Sequence, residues 1–418
     1  MDATAGRRSR FDGWLAGVCA SRVFNGLVFM SYAAALPVLQ REWSLSGAQA
    51  GAIAGGFQVG YAVSLVVFSS IADRISPKRI YLGSMFAAGV SALGFAIFAR
   101  DFASALILHT IVGVSMGGTY TTGVMILADQ YEARSRGMAV GVFIASTSCG
   151  YALSLLVSGA AIPAGGYRLS FILTCLGPLL GWVVAWITLR STAVLAAGRR
   201  QGLRFTREVL AHRPTMLLIW GYVFHNWELQ GMWAWTPAFL AAGLTLAGSA
   251  PMEAAGSGAY LTALFHGVGF VASFSMGALS DRCGRATVML ALAATSMGCS
   301  FAFGWTAGWR LAWVLGIGMV YAFSSLGDSP ILSAALTETV SSAYLGAALG
   351  LRSLLGFGAA SLAPIVFGLT LDWTNSAVAD RRLYTDWGWA FSTLGLGGAG
   401  AVWAACRFRK SQRQAGCD

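Results

Sequence analysis

Apolar runs of membrane-crossing length recur from one end of the chain to the other, and no other feature constrains the fold as strongly. Each is about 20 residues or more, enough to cross about 30 Å of hydrocarbon as a helix. They begin near Trp14, Gln49, Ile80, Phe102, Gly137, Leu169, Thr215, Gly258, Thr287, Leu311, Leu345 and Trp387. Lipid offers no partner to a backbone N–H or C=O, so each run has to satisfy its own backbone by forming a helix. The predicted fold class is therefore all-α and integral to the membrane, with twelve transmembrane helices. Only 11% of the 418 residues are charged, against about 25% in soluble domains, and the mean hydropathy is +0.65. No stretch between the runs is long enough for a separate soluble domain.

The formal charge of +11 fits either a nucleic-acid partner or a membrane topology, and its distribution decides. Arg7, Arg8 and Arg10, then Arg74, Lys78 and Arg79, the central Arg199, Arg200, Arg204 and Arg207, and the closing Arg407, Arg409 and Lys410 all fall on one side of the predicted spans. That bias is the positive-inside rule. It predicts a multi-pass plasma (bacterial inner) membrane protein with both termini cytoplasmic and no nucleic-acid partner. The opening "GRRSRFDGWLAG" has the look of a twin-arginine export signal, but Arg10 stands where an uncharged residue is needed and no small-residue cleavage site follows. A retained first helix is expected. The seven cysteines lie mostly inside apolar runs without paired spacing, which reads as packing rather than disulfides or a metal site.

The chain repeats itself. "SSIADRISPKRIYL" contains Asp73 and Arg74, and "GALSDRCGRATVM" contains Asp281 and Arg282, 208 residues on. "RGMAVG" and "LGAALG" pair Gly137 and Gly141 with Gly346 and Gly350 at an offset of 209. Two matches in nearly one register predict duplication of a six-helix unit, with an N-terminal bundle over 1–190, a cytoplasmic linker over 191–214 and a C-terminal bundle over 215–418. With these residues the chain resembles the major facilitator superfamily of secondary transporters, over essentially its whole length. The family's signature, Gly-x-x-x-Asp-Arg-x-Gly-Arg-Arg, is matched well by Gly277, Asp281, Arg282, Gly284 and Arg285. The earlier copy departs from it, with Ser69, Ser76 and Pro77 where glycines and an arginine are usual. The resemblance implies that Asp73, Arg74, Asp281, Arg282 and Arg285 brace a cytoplasmic gate, and the plainer alternative is a charged turn that only anchors topology.

In the fourth span, where the family carries an arginine followed by small residues, this chain has His109, Gly113 and Gly117. The fifth span lacks the proline signature of drug–proton antiporters and the Gly-Asn signature of nitrate porters. "GLGGAG", 395–400, satisfies a dinucleotide pattern but lies inside an apolar run with no strand before it, so it is helix-packing glycine. No phosphate loop, HExxH or spaced Cys/His cluster is present, and neither a metal, a cofactor nor an enzymatic activity is expected.

Ionisable groups inside spans are costly and mark function. Arg22, His109, His225 with Glu228, and Asp328 fall on spans 1, 4, 7 and 10. The resemblance implies that these four spans line a central cavity. Helical spacing puts Arg22, Asn25, Phe29 and Tyr32 on one face, His109, Met116 and Tyr120 on another, and His225, Glu228, Met232 and Trp235 on a third. Arg22, Asn25, Tyr32, His109, Tyr120 and Trp235 are the candidate substrate-binding residues, and Glu228 with His225 the candidate proton-coupling pair. Glu228 has two other readings, a fixed bridge to Arg22 and a cation-binding acid. Asp328 and Arg352 are expected as a buried ion pair. His266 reads equally as packing or site, as do Trp227, Trp233 and Trp235. The expected function is secondary active transport of a small solute, an organic or inorganic anion held by Arg22, by alternating access with proton coupling, in a monomer. Efflux of an apolar or cationic compound by proton antiport is the alternative within transport, and a transporter-shaped sensor or assembly factor the alternative outside it.

Overall fold

The computed structural model describes residues 8, 10–72, 74–193, 209–341, 344–376 and 383–414. Every named element in it is helical. The helices are α1 (Gly13–Asn25), α2 (Ser31–Glu42), α3 (Gly47–Ala72), α4 (Pro77–Phe98), α5 (Phe102–Met116), α6 (Tyr120–Gln130), α7 (Ala133–Leu189), α8 (Arg213–Leu246), α9 (Pro251–Cys283), α10 (Arg285–Phe303), α11 (Leu311–Thr339), α12 (Leu345–Thr374) and α13 (Gly388–Gln414). Among the described residues, nine helical stretches are long and apolar enough to cross a membrane. One of these, Ser135–Leu189, is two helices end to end. Gly165 and Gly166 break its helical dihedrals, and Gly166 turns at φ +69°, which costs a glycine little and other residues much. Helices α8 and α13, of 34 and 27 residues, are long enough to cross but more polar. The first carries His225, Asn226, Glu228 and Gln230 within two turns, and the second ends in Arg407, Arg409, Lys410 and Arg413.

Helix boundaries follow local chemistry. Asp12 accepts the Leu15 N–H at 2.9 Å and caps α1. Asp101 and Ser104 form a reciprocal capping box at α5. Pro77 and Pro251 stand in the first turns of α4 and α9, where a missing N–H costs nothing.

The buried apolar residues form three clusters, and their arrangement is the main fact about the architecture. One cluster draws on both sequence halves, with Leu36, Leu39 and Phe95 beside Phe239, Phe303 and Phe367. It lies at the face bearing the α2–α3, α8–α9 and α12–α13 connections. The other two occupy the opposite face, where α1 starts and α13 ends, and each stays within one half. Leu15, Tyr81, Ile126 and Leu189 make one, and Leu217, Met289, Leu336 and Phe408 the other. Among the described residues, buried apolar side chains thus join the halves at one face and stay separate at the terminus face.

The seal is closest between α3 and α12. Gly47, Gly51 and Gly55 recur one turn apart along α3, and a Cβ at Gly51 would sit 2.6 Å from the Pro364 carbonyl carbon and nearer still to its oxygen. Small residues allow this backbone approach. At the end of the seam Asp372 of α12 accepts the N–H groups of Gly47 at 2.7 Å and Ala48 at 2.9 Å, while Tyr384 donates to it at 2.7 Å. A carboxylate of one half caps the helix N-terminus of the other, where orphan N–H groups and the helix dipole both favour it. Beside this seam, Gly256 of α9 packs against Gly159 and Pro163 of α7.

Candidate functional site

Two helices are interrupted at one depth. After α1 the chain makes a 3-10 turn, Gly26–Val28, before α2. Between α5 and α6 it passes Gly117, Gly118 and Thr119 without regular helix. The interruptions bring Arg22, Asn25 and Thr119 together. Arg22 donates from Nη1 to Thr119 Oγ1 at 2.9 Å and from Nε to Thr147 Oγ1 at 3.0 Å. Asn25 donates to the same Thr119 oxygen at 3.4 Å, and its own Oδ1 has no partner. The Tyr120 ring lies 5.7 Å from the guanidinium carbon and the Phe143 ring 5.6 Å. Arg22 is 5% exposed, and no ion pair among the described residues includes it. A buried guanidinium held by hydroxyls keeps its charge uncompensated, which is costly in a low-dielectric site and favours an anionic guest.

Toward the sealed face lies a small cavity lined by Phe29, Tyr32, Phe57, Gln58, His109 and Trp233, among others. Its volume of about 30 Å³ holds roughly two waters, so an organic solute enters it only if the helices move. Gln58 donates to Gln230 at 3.1 Å across the cavity, joining α3 to α8. Tyr32 donates to the Ala50 carbonyl at 3.0 Å, and His109 Nδ1 lies 3.1 Å from the Ile53 carbonyl with its ring against Tyr32, Phe57 and Phe95. Trp233 contacts Phe29, Tyr151 and His266, and both ring nitrogens of His266 lack a hydrogen-bond partner. Trp235 is placed elsewhere. It is fully buried, donates to the Pro364 carbonyl at 3.1 Å and stacks on Phe367. Trp227 donates to the Thr393 carbonyl at 3.0 Å, a packing contact with α13.

The polar face of α8 turns into the C-terminal half. His225 Nδ1 lies 2.9 Å from Asp328 Oδ1 on α11. Glu228 accepts from Ser296 at 2.7 Å and from Ser300 on α10, and Ser300 also contacts the Tyr321 hydroxyl at 2.7 Å. No Glu228–Arg22 bridge is present among the described residues, because the carboxylate faces α10 and not α1. Asp328 and Arg352, expected as a buried ion pair, have other partners. Asp328 is taken by His225, while Arg352 donates to Ser333 at 3.0 Å and stacks over the Tyr222 ring at 4.1 Å. The serine partners of Glu228 escaped the sequence reading, which looked for charges. Ser296 and Ser300, one turn apart on an apolar helix, were the available signal.

Of the gate residues, Asp73 lies outside the described residues and Arg74 is exposed at the turn before α4. In the second copy Arg285 pairs with Asp281 at 2.5 Å and with Glu338 at the end of α11 at 2.9 Å, and donates to Ser280 at 2.7 Å. Gly284, at φ +86°, makes the turn, and Arg282 points to solvent. The loop ties α9 to α11 within one half. Exposed pairs contribute about 0.2–1 kcal/mol each, so Asp281→Asn is expected to insert normally and to slow transport measurably, by up to about fivefold. Uptake by vesicles with matched protein content checks this, and an unchanged rate would reduce the loop to a topology anchor.

A family model described as Major Facilitator Superfamily matches residues 18–325. The chain belongs to the major facilitator superfamily. Its curated relatives include a putative niacin/nicotinamide transporter of Bacillus subtilis, 23% identical with 80% of this chain and 82% of that one covered. They also include a probable sulfoacetate transporter of Cupriavidus necator, 24% identical over 82% and 83%, and a probable L-galactonate transporter of Escherichia coli, 25% identical over 85% and 82%. Among solved structures the chain resembles a mutant form of the nucleoside transporter NupG, with TM-score 0.75, 14% identity and 95% and 100% coverage. It also resembles a bacterial homologue of the human lysosomal transporter Spinster in an inward-facing, occupied conformation, with TM-score 0.74, 18% identity and 96% of each chain covered. This major facilitator superfamily member is an all-α, multi-pass membrane transporter of small solutes and not an enzyme.

Proposed function

We propose that the protein carries a small organic anion across the plasma (bacterial inner) membrane by alternating access, with Arg22 as the group that binds the anionic end. The carrying observation is a guanidinium buried at paired helix interruptions with hydroxyl partners and, among the described residues, no carboxylate partner. Interrupted helices at mid-membrane are where transporters place substrate. Niacin, sulfoacetate and galactonate, named for the relatives, each carry a carboxylate, while nicotinamide, named beside niacin, is a neutral amide. The positive-inside bias places both termini in the cytoplasm, which makes the sealed face external and the parted face inward. Within this reading α7 counts as two spans, α8 and α13 each cross once, and twelve spans divide into two six-helix halves that rock about Arg22 and the Gln58–Gln230 contact. The transporter works as a monomer in the lipid bilayer.

Proton coupling falls to Glu228 with His225. Glu228 is buried among serine hydroxyls with no guanidinium partner among the described residues, so it can gain or lose a proton without first breaking an ion pair. His225, one turn away and against Asp328, is placed to share that proton. The test is uptake by vesicles over a panel of small carboxylates and sulfonates, with and without a pH gradient, in wild type and Glu228→Gln. The expected result is that pH-driven accumulation disappears in the variant while concentration-driven exchange of labelled substrate survives. Accumulation as steeply pH-dependent as in wild type would remove Glu228 from the coupling role.

A further inference from the structure

A second arginine stands across the inter-half space from the first. Arg22 lies nine residues into α1 and Arg352 seven into α12, both counted from the terminus face. At 1.5 Å per residue they sit at similar depth, roughly 10–14 Å in. Each stands near an aromatic ring, Tyr120 for Arg22 and Tyr222 for Arg352. Tyr61 of α3 and Phe357 of α12, whose rings are 5.0 Å apart, join the halves close by. Arg352 is 5% exposed, and its Nε has no hydrogen-bond partner. Asp328 has its Oδ1 2.9 Å from His225 Nδ1, and no Asp328–Arg352 ion pair is present among the described residues.

We propose that Arg352 with Tyr222 is the second half of an anion clamp opposite Arg22 and Tyr120, and that the substrate therefore carries two anionic groups. This rests on the reading of Arg22 as the anion-binding group and narrows its substrate class to small dicarboxylates or sulfocarboxylates. Two buried cations from opposite halves, neither paired with a carboxylate among the described residues, are each undercompensated. A monoanion compensates only one of them. A dianion compensates both and draws the halves together, which favours the closing movement that transport needs.

The experiment measures binding by the purified full-length protein to matched pairs, succinate against butyrate and sulfoacetate against acetate, with the pairs extended to chains of two to six carbons. Wild type is expected to prefer the dianion at some length by at least tenfold. Arg352→Gln is expected to lower that preference at least tenfold, and Arg352→Lys, which keeps the charge and guards against a folding artefact, to retain part of it. A wild type with no dianion preference at any length, or an Arg352→Gln variant that weakens both members of each pair equally, overturns the clamp. If Arg22→Gln abolishes binding while Arg352→Gln leaves the preference intact, the clamp alone fails. If Arg22→Gln binds every anion as wild type does, the underlying reading of Arg22 fails with it.

Discussion

Gly51→Val is expected to abolish transport while leaving the protein folded in the membrane. A Cβ at this position would meet the Pro364 carbonyl carbon at 2.6 Å, with the carbonyl oxygen closer still. Both are backbone atoms of a helix, which no side-chain rotamer change can move aside. The larger residue therefore holds α3 and α12 apart, and the face they seal stays open. Overpacking of this kind costs about 1–3 kcal/mol where neighbours can adjust, and more where they cannot. At about 1.4 kcal/mol per tenfold, 3 kcal/mol already lowers the sealed population more than a hundredfold relative to the open one. Each half keeps its own cluster at the terminus face, so folding and insertion survive. Uptake should fall to background, and in a cysteine-free background Ser46→Cys should react faster with an impermeant thiol reagent when Gly51→Val is present. Wild-type uptake by the valine variant would show that this seam need not close.

Asp372→Ala is expected to loosen the same seam from its end. It removes the acceptor for the Gly47 and Ala48 N–H groups and for the Tyr384 hydroxyl. Loss of an N-cap costs about 0.5–2 kcal/mol. Here the cap and the capped helix belong to opposite halves, so much of that cost falls on the sealed state and little on the separate halves. The ratio of sealed to open molecules is expected to drop by up to about thirtyfold. Asp372→Asn, whose amide oxygen still accepts, should lie between. Spin-label distances across the α3–α12 seam, measured beside uptake rates, read both quantities. Unchanged distances and rates in the alanine variant would mean that the carboxylate does not hold the seam.

The helical membrane fold was legible because lipid imposes one rule on every apolar run, and each expected run start lies in or next to a helix. The break inside α7 falls between the runs placed near Gly137 and Leu169, at the two glycines where the helix turns. The environment of Arg22 was legible in part. Helical spacing grouped Arg22 with Asn25, but Thr119 and Thr147 come from distant segments and carry no charge to announce them. The partners of Glu228 were not legible, since the i, i+3 spacing that puts it beside His225 says nothing of which neighbour each side chain reaches. Asp328 and Arg352 were expected together because each needed an opposite charge. Histidine, hydroxyl and aromatic partners met that need separately. Asp372 reads in sequence as a solvated charge at a span end, and only the approach of α3 turns it into a cap. The Gly47, Gly51 and Gly55 spacing is the sequence signal for that approach.

The central claim is that Arg22 binds an anion that moves through the space between the halves. It is tested most directly by uptake of labelled small carboxylates and sulfonates into proteoliposomes containing wild type, Arg22→Lys or Arg22→Gln at matched insertion. The expected results are saturable anion uptake by wild type, a partial rate for the lysine variant, whose charge remains but whose forked donors are lost, and a loss of at least a hundredfold for glutamine. Anion uptake by Arg22→Gln at the wild-type rate and affinity would contradict it.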